Sequence, residues 1–547
     1  MSILQSQRRE PQTVQTIQST SEDNLFSYKA QRWLWNEHEQ LQRRYVRFDV
    51  AALIRVVEDA LGPDASCVEF TKLPEGNFNK TFIATMQDGR ELIARLPNPN
   101  AGRPHYTTAS EVATMAYVRD RLQIPAPKVL TYSTQSSTNG IGAEYIIMEK
   151  CPGIELGRVW DELAGKEKIE IVKQLATFTA RLSNARFPYY GSLYYTRDIH
   201  DVKAMQVDDI FSVGPTTSRT WFDDKRGEVD IYHGPWQTAE EVMEAMLKRE
   251  VACIETFSKF PKDRQQGIFN GPGGYCPSKT AKLAVIEDVR RVLPYILPRD
   301  DAYTASVLWH NDLHSDNIFV DKERPTQITG IIDWQGVPLN PAFLHVHYPS
   351  LIEYQGPILD GFEKPQLPTG YEELDKDAKK TARALHTAQS IWMMYKVYTR
   401  KQAPDQLRLL SNRDFLPWQI LGLIGSAFDD GEAYVQKTLS ALAEPEIWRK
   451  ILSQNDQEVV QCPLVYSAEQ LSKQQIELAK WERDVERKAR VLKEVGVYTG
   501  WDGAVLPDEY DIVSERLERA REKFLDIESE SSAEREQWAK VWPFRDV

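Results

Sequence analysis

Apolar positions along this chain change period, and the change separates a strand-rich first part from a helical remainder. Cys67 to Leu73, Thr81 to Met86 and Glu91 to Leu96 alternate as strands do, and an Asp88-Gly89 turn joins the last two. Before them, Phe48 to Leu61 reads as a helix, with Asp49 near its start and Gly62-Pro63 closing it. After them, Ser110 to Leu122 is helical, and Glu111, Met115, Val118 and Leu122 share one face. Ile124 to Val129 is a proline-stiffened link into a strand, and Glu144 to Met148 is the next strand. From there the helical period dominates. Leu156 to Ala164, Lys166 to Ala185, Thr238 to Phe257 and Ala281 to Leu293 are expected as helices, with Pro294 ending the last. Asp375 to Thr399, Phe415 to Phe428, Ala468 to Val495 and Asp508 to Glu528 extend the series.

Three stretches fit neither period cleanly. Phe26 to Arg47 mixes aromatics with charge and reads as a lead-in packing Trp33 and Trp35 against the body. Residues 196–240 and 267–280 are irregular and Gly/Pro-bearing, as long loops covering a cleft would be. The aromatic run Phe187 to Tyr195 is expected as a packed β-ribbon rather than a stacking platform for a ligand. Ala468 to Val495 repeats Leu471, Leu478, Val485 and Leu492 at sevens. The positions between them are mixed, so packing on the helical body is favoured over a coiled coil.

The chemistry concentrates in Val307 to Pro338. His310-x-Asp312-x-x-x-x-Asn317 precedes two short strands, Ile318 to Val320 and Ile328 to Ile332, across a polar turn at Asp321 to Gln327; Asp333-Trp334 follows. A hairpin of this kind brings Asn317 and Asp333 to the same end. Phosphoryl transfer from ATP calls for this set, because the protein orients a hydroxyl, holds Mg²⁺ on the phosphates and does little covalent work. Asp312 is the candidate catalytic acid that orients the acceptor hydroxyl. Asn317 and Asp333 are the candidate Mg²⁺ ligands, since Mg²⁺ takes hard oxygens and few protein ones. His310 is expected to brace the loop by hydrogen bonds, and His314 to be structural. A His-x-x-x-His zinc site is disfavoured, with no cysteine nearby.

The stretch resembles the catalytic loop and metal strand of the aminoglycoside phosphotransferase and choline kinase-like family, in which Ile-Asp-Trp or Ile-Asp-Phe stands for the Asp-Phe-Gly of protein kinases. The resemblance covers about residues 67–440. It implies an α+β, bilobal, protein-kinase-like fold with a small β-rich N-lobe and a large, mainly helical C-lobe. The expected division is residues 1–25 as tail or presequence, 26–150 as N-lobe, 151–440 as C-lobe and 441–547 as a helical extension. It implies ATP and Mg²⁺ as cofactors and a small-molecule hydroxyl as acceptor. The loop holding Gly76 takes the place of the nucleotide-covering loop. Arg95 stands where kinases keep a phosphate-binding lysine; arginine keeps the charge and grips phosphate bidentately. Glu111 either pairs with Arg95 or is a favourable acid near a helix N-terminus. Glu149 and Cys151 mark the hinge, whose backbone would read the adenine edge. The lead-in, the Gly-Ile-Ile-Asp-Trp-Gln-Gly strand and the helical tail further resemble the fungal altered inheritance of mitochondria protein 9 branch. A nucleotide-binding pseudokinase or scaffold is the alternative, favoured by Arg95 and the single Gly76. A protein kinase is disfavoured, because no Ala-Pro-Glu follows Asp333 and Trp334 replaces Phe-Gly.

Composition narrows this little further. At 547 residues, more than one core is expected. A net charge of −13 disfavours nucleic acid and anionic membranes as partners and leaves the acceptor open. Five scattered cysteines with no Cys-x-x-Cys suggest a reducing compartment. Phe415 to Phe428 is too short to span a bilayer, so no integral membrane segment is expected. Residues 1–23 are polar and lack the apolar core of a secretory signal. On composition they favour a plain tail over a mitochondrial presequence, and the family resemblance moves the expectation toward mitochondria, with the cytoplasm as alternative. Oligomeric state does not follow from any of these features.

Overall fold

The structure is a computed structural model describing residues 15–16, 23–200, 203–257, 270–354, 356–357, 359, 361–429, 431–455 and 458–546. Residues 1–14 and 17–22, with the expected tail or presequence, and 267–269 of the second loop lie outside them.

The chain forms the two-lobed, kinase-like α+β arrangement the motifs predict. The N-lobe is an antiparallel sheet in the spatial order 15–16, 67–72, 79–86, 91–97, 145–149, 129–133. On the middle strand, Phe82, Ala84 and Met86 face a core shared with Leu53 and Val57 of helix Val50–Asp59. The Asp49 side chain caps that helix by accepting the Ala52 N–H at 2.8 Å.

The C-lobe is helical around two further sheets. One is a three-stranded antiparallel sheet in the order 328–331, 318–320, 154–155, which ties the exit of the hinge to the expected hairpin. The other has six short strands, in the order 205–206, 211–214, 191–195, 338–341, 306–308, 186–187. It absorbs the aromatic ribbon and much of the first irregular stretch. It also clamps both flanks of the catalytic stretch, since Val307 pairs with Asn340 and Leu308 with Leu339. No helix among the described residues is long and apolar enough to cross a membrane.

Several expected elements differ. The helix read from Ser110 begins at Tyr106 and runs to Asp120, and it is buried on nearly every side, small polar residues included. Val112, Met115 and Val118 join the C-lobe core, and Ala109 meets Tyr194 of the C-lobe sheet. Pressure from both lobes explains why one apolar face understates this helix. Leu156 to Ala164 is two short 3₁₀ turns rather than one helix. Pro294 lies within helix Lys279–Ile296, whose last turn closes by Leu297 N–H donating to the Leu293 carbonyl at 3.0 Å.

The lead-in buries Trp33 and Trp35 as expected, and it does so against the C-terminal segment. Arg32–Trp33 pairs as a strand with Ala504–Val505. Trp35 enters a core with Trp501, Val505, Phe524, Trp542 and Phe544 of the C-terminal segment. Its ring stands edge-on to Trp501 at 5.0 Å. The long helix Ala468–Val495 is capped by Ser467 and closes on Gly496 in a left-handed conformation. It leaves Leu471 and Ile476 exposed, stacks Trp481 on Tyr434 and buries Asp484 against the Tyr275 N–H midway, and buries Val491, Leu492 and Val495 near its C-terminal end, so it packs on the body without a coiled-coil seam.

Candidate active site

The catalytic loop is braced from within. Buried His310 accepts the Asp312 N–H on Nδ1 at 3.2 Å and donates Nε2–H to the Ile332 carbonyl at 2.9 Å. One imidazole thereby joins the loop of Asp312 to the backbone just before Asp333, and burial lowers its pKa, keeping it neutral. Asn317 donates Nδ2–H to the Asp312 carbonyl at 2.9 Å, which leaves its Oδ1 as the ligand-capable atom. The strands after Asn317 and before Asp333 pair Ile318 with Ile331, and Ile332 N–H donates to the Asn317 carbonyl at 3.0 Å. The pairing sets Asn317 and Asp333 at one end of the hairpin.

Asp333 sits at φ 66°, in the left-handed region that a non-glycine residue rarely adopts. Trp334 makes room for that turn. Its indole N–H donates to the Ile331 carbonyl at 3.0 Å, and its ring packs edge-on to His310 at 4.7 Å. The sequence pattern marked Trp334 as part of the Ile-Asp-Trp motif and as a departure from Phe-Gly; in the structure it closes the strand end behind Asp333.

Across the cleft, Arg95 forms an ion pair with Glu111, and both are buried. Glu111 lies in the second turn of its helix, so the alternative of an acid at the helix N-terminus does not hold. Burial lowers the Arg95 pKa and the Asp333 carboxylate acts in the opposite sense, so the guanidinium feels the charge that follows the 328–331 strand. His314 donates to Asp312 across 3.4 Å and accepts the Asp316 N–H on Nδ1 at 3.1 Å. That contact holds the Asp312 carboxyl below its ordinary value and raises the His314 imidazole.

The hinge positions separate. Glu149 ends a strand, is exposed, and its N–H is committed to the Lys128 carbonyl at 2.9 Å. Cys151 is buried, which pushes its thiol up to about 12, and it packs under the metal hairpin: a Cβ on Gly330 would fall 1.8 Å from its Sγ. Gly76 has open space around it and no positive φ, so the covering loop does not need a glycine there for its shape. Its neighbours were missed by motif reading. Buried Glu75 binds Lys80 at 2.8 Å and Lys72 at 3.0 Å. Lys80 falls on the core-facing phase of its strand with Phe82, Ala84 and Met86, so the period-2 pattern did carry a signal: an inward lysine needs a partner.

The profile of the phosphotransferase enzyme family matches residues 69–267 and 270–343, from the first strand of the covering hairpin through Asp333. The chain belongs to this family. Its relatives include a subtelomeric hrmA-associated cluster protein of Aspergillus fumigatus, 28% identical over 510 residues, covering 88% of this chain and 97% of the relative. The altered inheritance of mitochondria protein 9 of Yarrowia lipolytica, named as mitochondrial, is 23% identical over 445 residues, covering 74% of each. Among solved structures, the chain aligns with ADP-bound aminoglycoside phosphotransferase APH(2'')-Ib at 14% identity and TM-score 0.31, covering 72% of this chain and 97% of that one. It aligns with macrolide 2'-phosphotransferase MphH of Brachybacterium faecium at 14% identity and TM-score 0.32, covering 72% and 99%.

In this family member the donor set suits a hard cation: one amide oxygen and one carboxylate, with no competing hydrogen bond to the Asp333 carboxylate among the described residues. No group of three or more His, Cys, Asp or Glu among the described residues is placed to hold a metal by itself. Such a pair suits an ion that arrives with phosphate oxygens, as Mg²⁺ does.

Proposed function

We propose that this phosphotransferase moves the γ-phosphoryl group of ATP, in the presence of Mg²⁺, to a hydroxyl of a small molecule. The observation that carries the reading is the left-handed Asp333, held opposite Asn317 by the hairpin and within electrostatic reach of the buried Arg95–Glu111 pair. Asn317 Oδ1 and the Asp333 carboxylate would hold the metal. Bound Mg²⁺ supplies neutralisation of the phosphate charge. Arg95, fixed by Glu111, settles the phosphates in the position that lysine occupies in protein kinases. Asp312, exposed at the cleft and kept ionised by His314, orients the acceptor hydroxyl and takes its proton. Backbone around Cys151 reads the adenine edge, since Glu149's N–H is already bonded. The mitochondrial name of the Yarrowia relative supports placing this chain in mitochondria.

A second reading, nucleotide binding without turnover, is favoured by Arg95 in the lysine position. Both readings meet in one experiment. Melting of the purified protein is followed with ATP, with and without Mg²⁺, beside Asp333→Ala. A Mg²⁺-dependent rise in Tm that the variant loses supports the site, and an acceptor screen then separates transfer from binding alone. Absence of any shift in the wild-type protein would falsify the nucleotide site.

A further inference from the structure

The covering loop is held at its two ends by different lobes. At the near end, Glu75 binds Lys80 and Lys72 and accepts the Lys29 N–H at 3.0 Å, all from the N-terminal half. At the far end, Phe78 lies beneath the guanidinium of Arg219, with Cζ 3.7 Å from the ring centroid. Arg219 opens the short turn Arg219–Trp221 in the C-lobe stretch expected as cleft-covering loop. The contact therefore crosses between lobes.

The metal-bearing segment meets the same crossing. Asn79, next to Phe78, donates Nδ2–H to Gln335 Oε1 at 3.0 Å, two residues beyond Asp333. At Gly336 an added Cβ would stand 3.4 Å from the Thr217 carbonyl oxygen and 4.0 Å from Arg219 Cγ, so the arginine's side-chain stem and the backbone two residues before it lie against that segment. Asn311 of the catalytic loop donates to the Gly336 carbonyl at 3.0 Å. Loop tip, metal strand and catalytic loop converge where Arg219 sits.

The side chain is not that of a fully satisfied structural pair. Arg219 Nη2 donates to Asp223 at 2.7 Å, but its Nε is buried without a hydrogen-bond partner. Beyond it opens a cavity of about 410 Å³ lined also by Asp223, Asp224, Arg226 and Asp429, into which the guanidinium has room to swing.

We propose that Arg219 is a positioning residue that clamps the covering loop, through Phe78, against the metal-bearing segment and so sets how long a nucleotide stays in the cleft. This rests on the proposed function for the nucleotide, but the clamp itself is a property of the empty protein. A guanidinium–ring contact of this kind corresponds to roughly a 2- to 30-fold change in an equilibrium or a release rate.

Two readouts test it. Amide hydrogen exchange over residues 74–79 is measured in the nucleotide-free protein, and release of a fluorescent ADP analogue with Mg²⁺ is followed by stopped flow. Wild type, Arg219→Ala, Arg219→Lys and Phe78→Leu are compared after melting curves show that each is folded. The clamp predicts faster exchange confined to the loop, and release faster by roughly tenfold, in Arg219→Ala and Phe78→Leu, with Arg219→Lys between them and wild type. The double variant should release no faster than the quicker single one. Loop exchange unchanged in Arg219→Ala, or raised equally across the whole N-lobe sheet, overturns the clamp. Nucleotide failing to bind wild type counts against the proposed function instead, and the exchange result still decides the clamp. Phe78→Leu keeps the question open to measurement if Arg219→Ala does not fold, because it leaves the Arg219–Asp223 contact untouched.

Discussion

The catalytic loop and the covering loop face one cleft, yet they are restrained in opposite ways. The side-chain braces of the first come chiefly from within residues 310–336: His310 to Asp312 and Ile332, Asn317 to the Asp312 carbonyl, Trp334 to Ile331 and Asn311 to Gly336. The second is held from outside. Glu75 reaches Lys29 N–H, the Asn77 carbonyl accepts from Asn98 and Asn100, Phe78 meets Arg219 and Asn79 meets Gln335. A loop that closes on itself keeps its geometry whatever the lobes do. A loop closed by distant partners takes its position from how the lobes and the lead-in are assembled.

The comparison breaks first on chemistry. On a confirmed acceptor, Asp312→Asn should lower turnover on the order of 10²- to 10⁴-fold while the ATP-induced Tm shift persists, because the proposed proton acceptor is lost and its loop is not. Turnover at the wild-type level would reduce the loop to a turn. Stability comes next. Glu75→Gln leaves Lys80 buried without its counter-charge and should cost about 3–5 kcal/mol in urea unfolding. Replacing both partners, as Glu75→Gln with Lys80→Met, should recover most of that loss, since an apolar side chain needs no partner in this core. Failure of the double variant to recover would mean that Glu75 acts through Lys72 and Lys29 rather than through Lys80.

The smallest effect lies in the Asp312–His314 contact. Asp312 is depressed below its ordinary 3.8, and its contribution is present above that value and lost as pH falls through the lowered folded one. His314 is raised above its ordinary 6.5, and its contribution is fully present below that value and lost as pH rises through the raised folded one. The pair is intact between the two folded values. Side chains 63% and 35% exposed make it nearly neutral for stability. His314→Gln should therefore leave Tm almost unchanged and return the Asp312 carboxyl titration, followed by carbon NMR, toward 3.8. A titration that stays depressed would assign the shift to groups other than His314.

What was legible follows the same division. Asp312, Asn317 and Asp333 stand at fixed spacing across a short hairpin, so a motif carries their arrangement. Arg95 and Glu111 lie on separate elements, and only the likeness to kinases suggested their pairing. The strand-rich N-lobe was readable from alternation. The six-stranded C-lobe sheet was not, because its strands are two to five residues long and pair across long stretches of chain, as Ser306 with Phe187 and Gly191 with Leu339. Helix Tyr106–Asp120 was misjudged for a related reason: periodicity reports one buried face, and this helix is buried between lobes.

The sequence by itself determined the two-lobed class, the hairpin that sets Asn317 and Asp333 at one end, and the phosphotransferase family, because these depend on local spacing and period. Tertiary structure alone decided that Trp35 packs with Trp501 and Phe544, that Lys80 is buried against Glu75, and that Arg219 lies over Phe78. Each of those contacts joins side chains whose adjacency exists only after distant segments have packed, and no local pattern records which partner a buried charge or ring will meet.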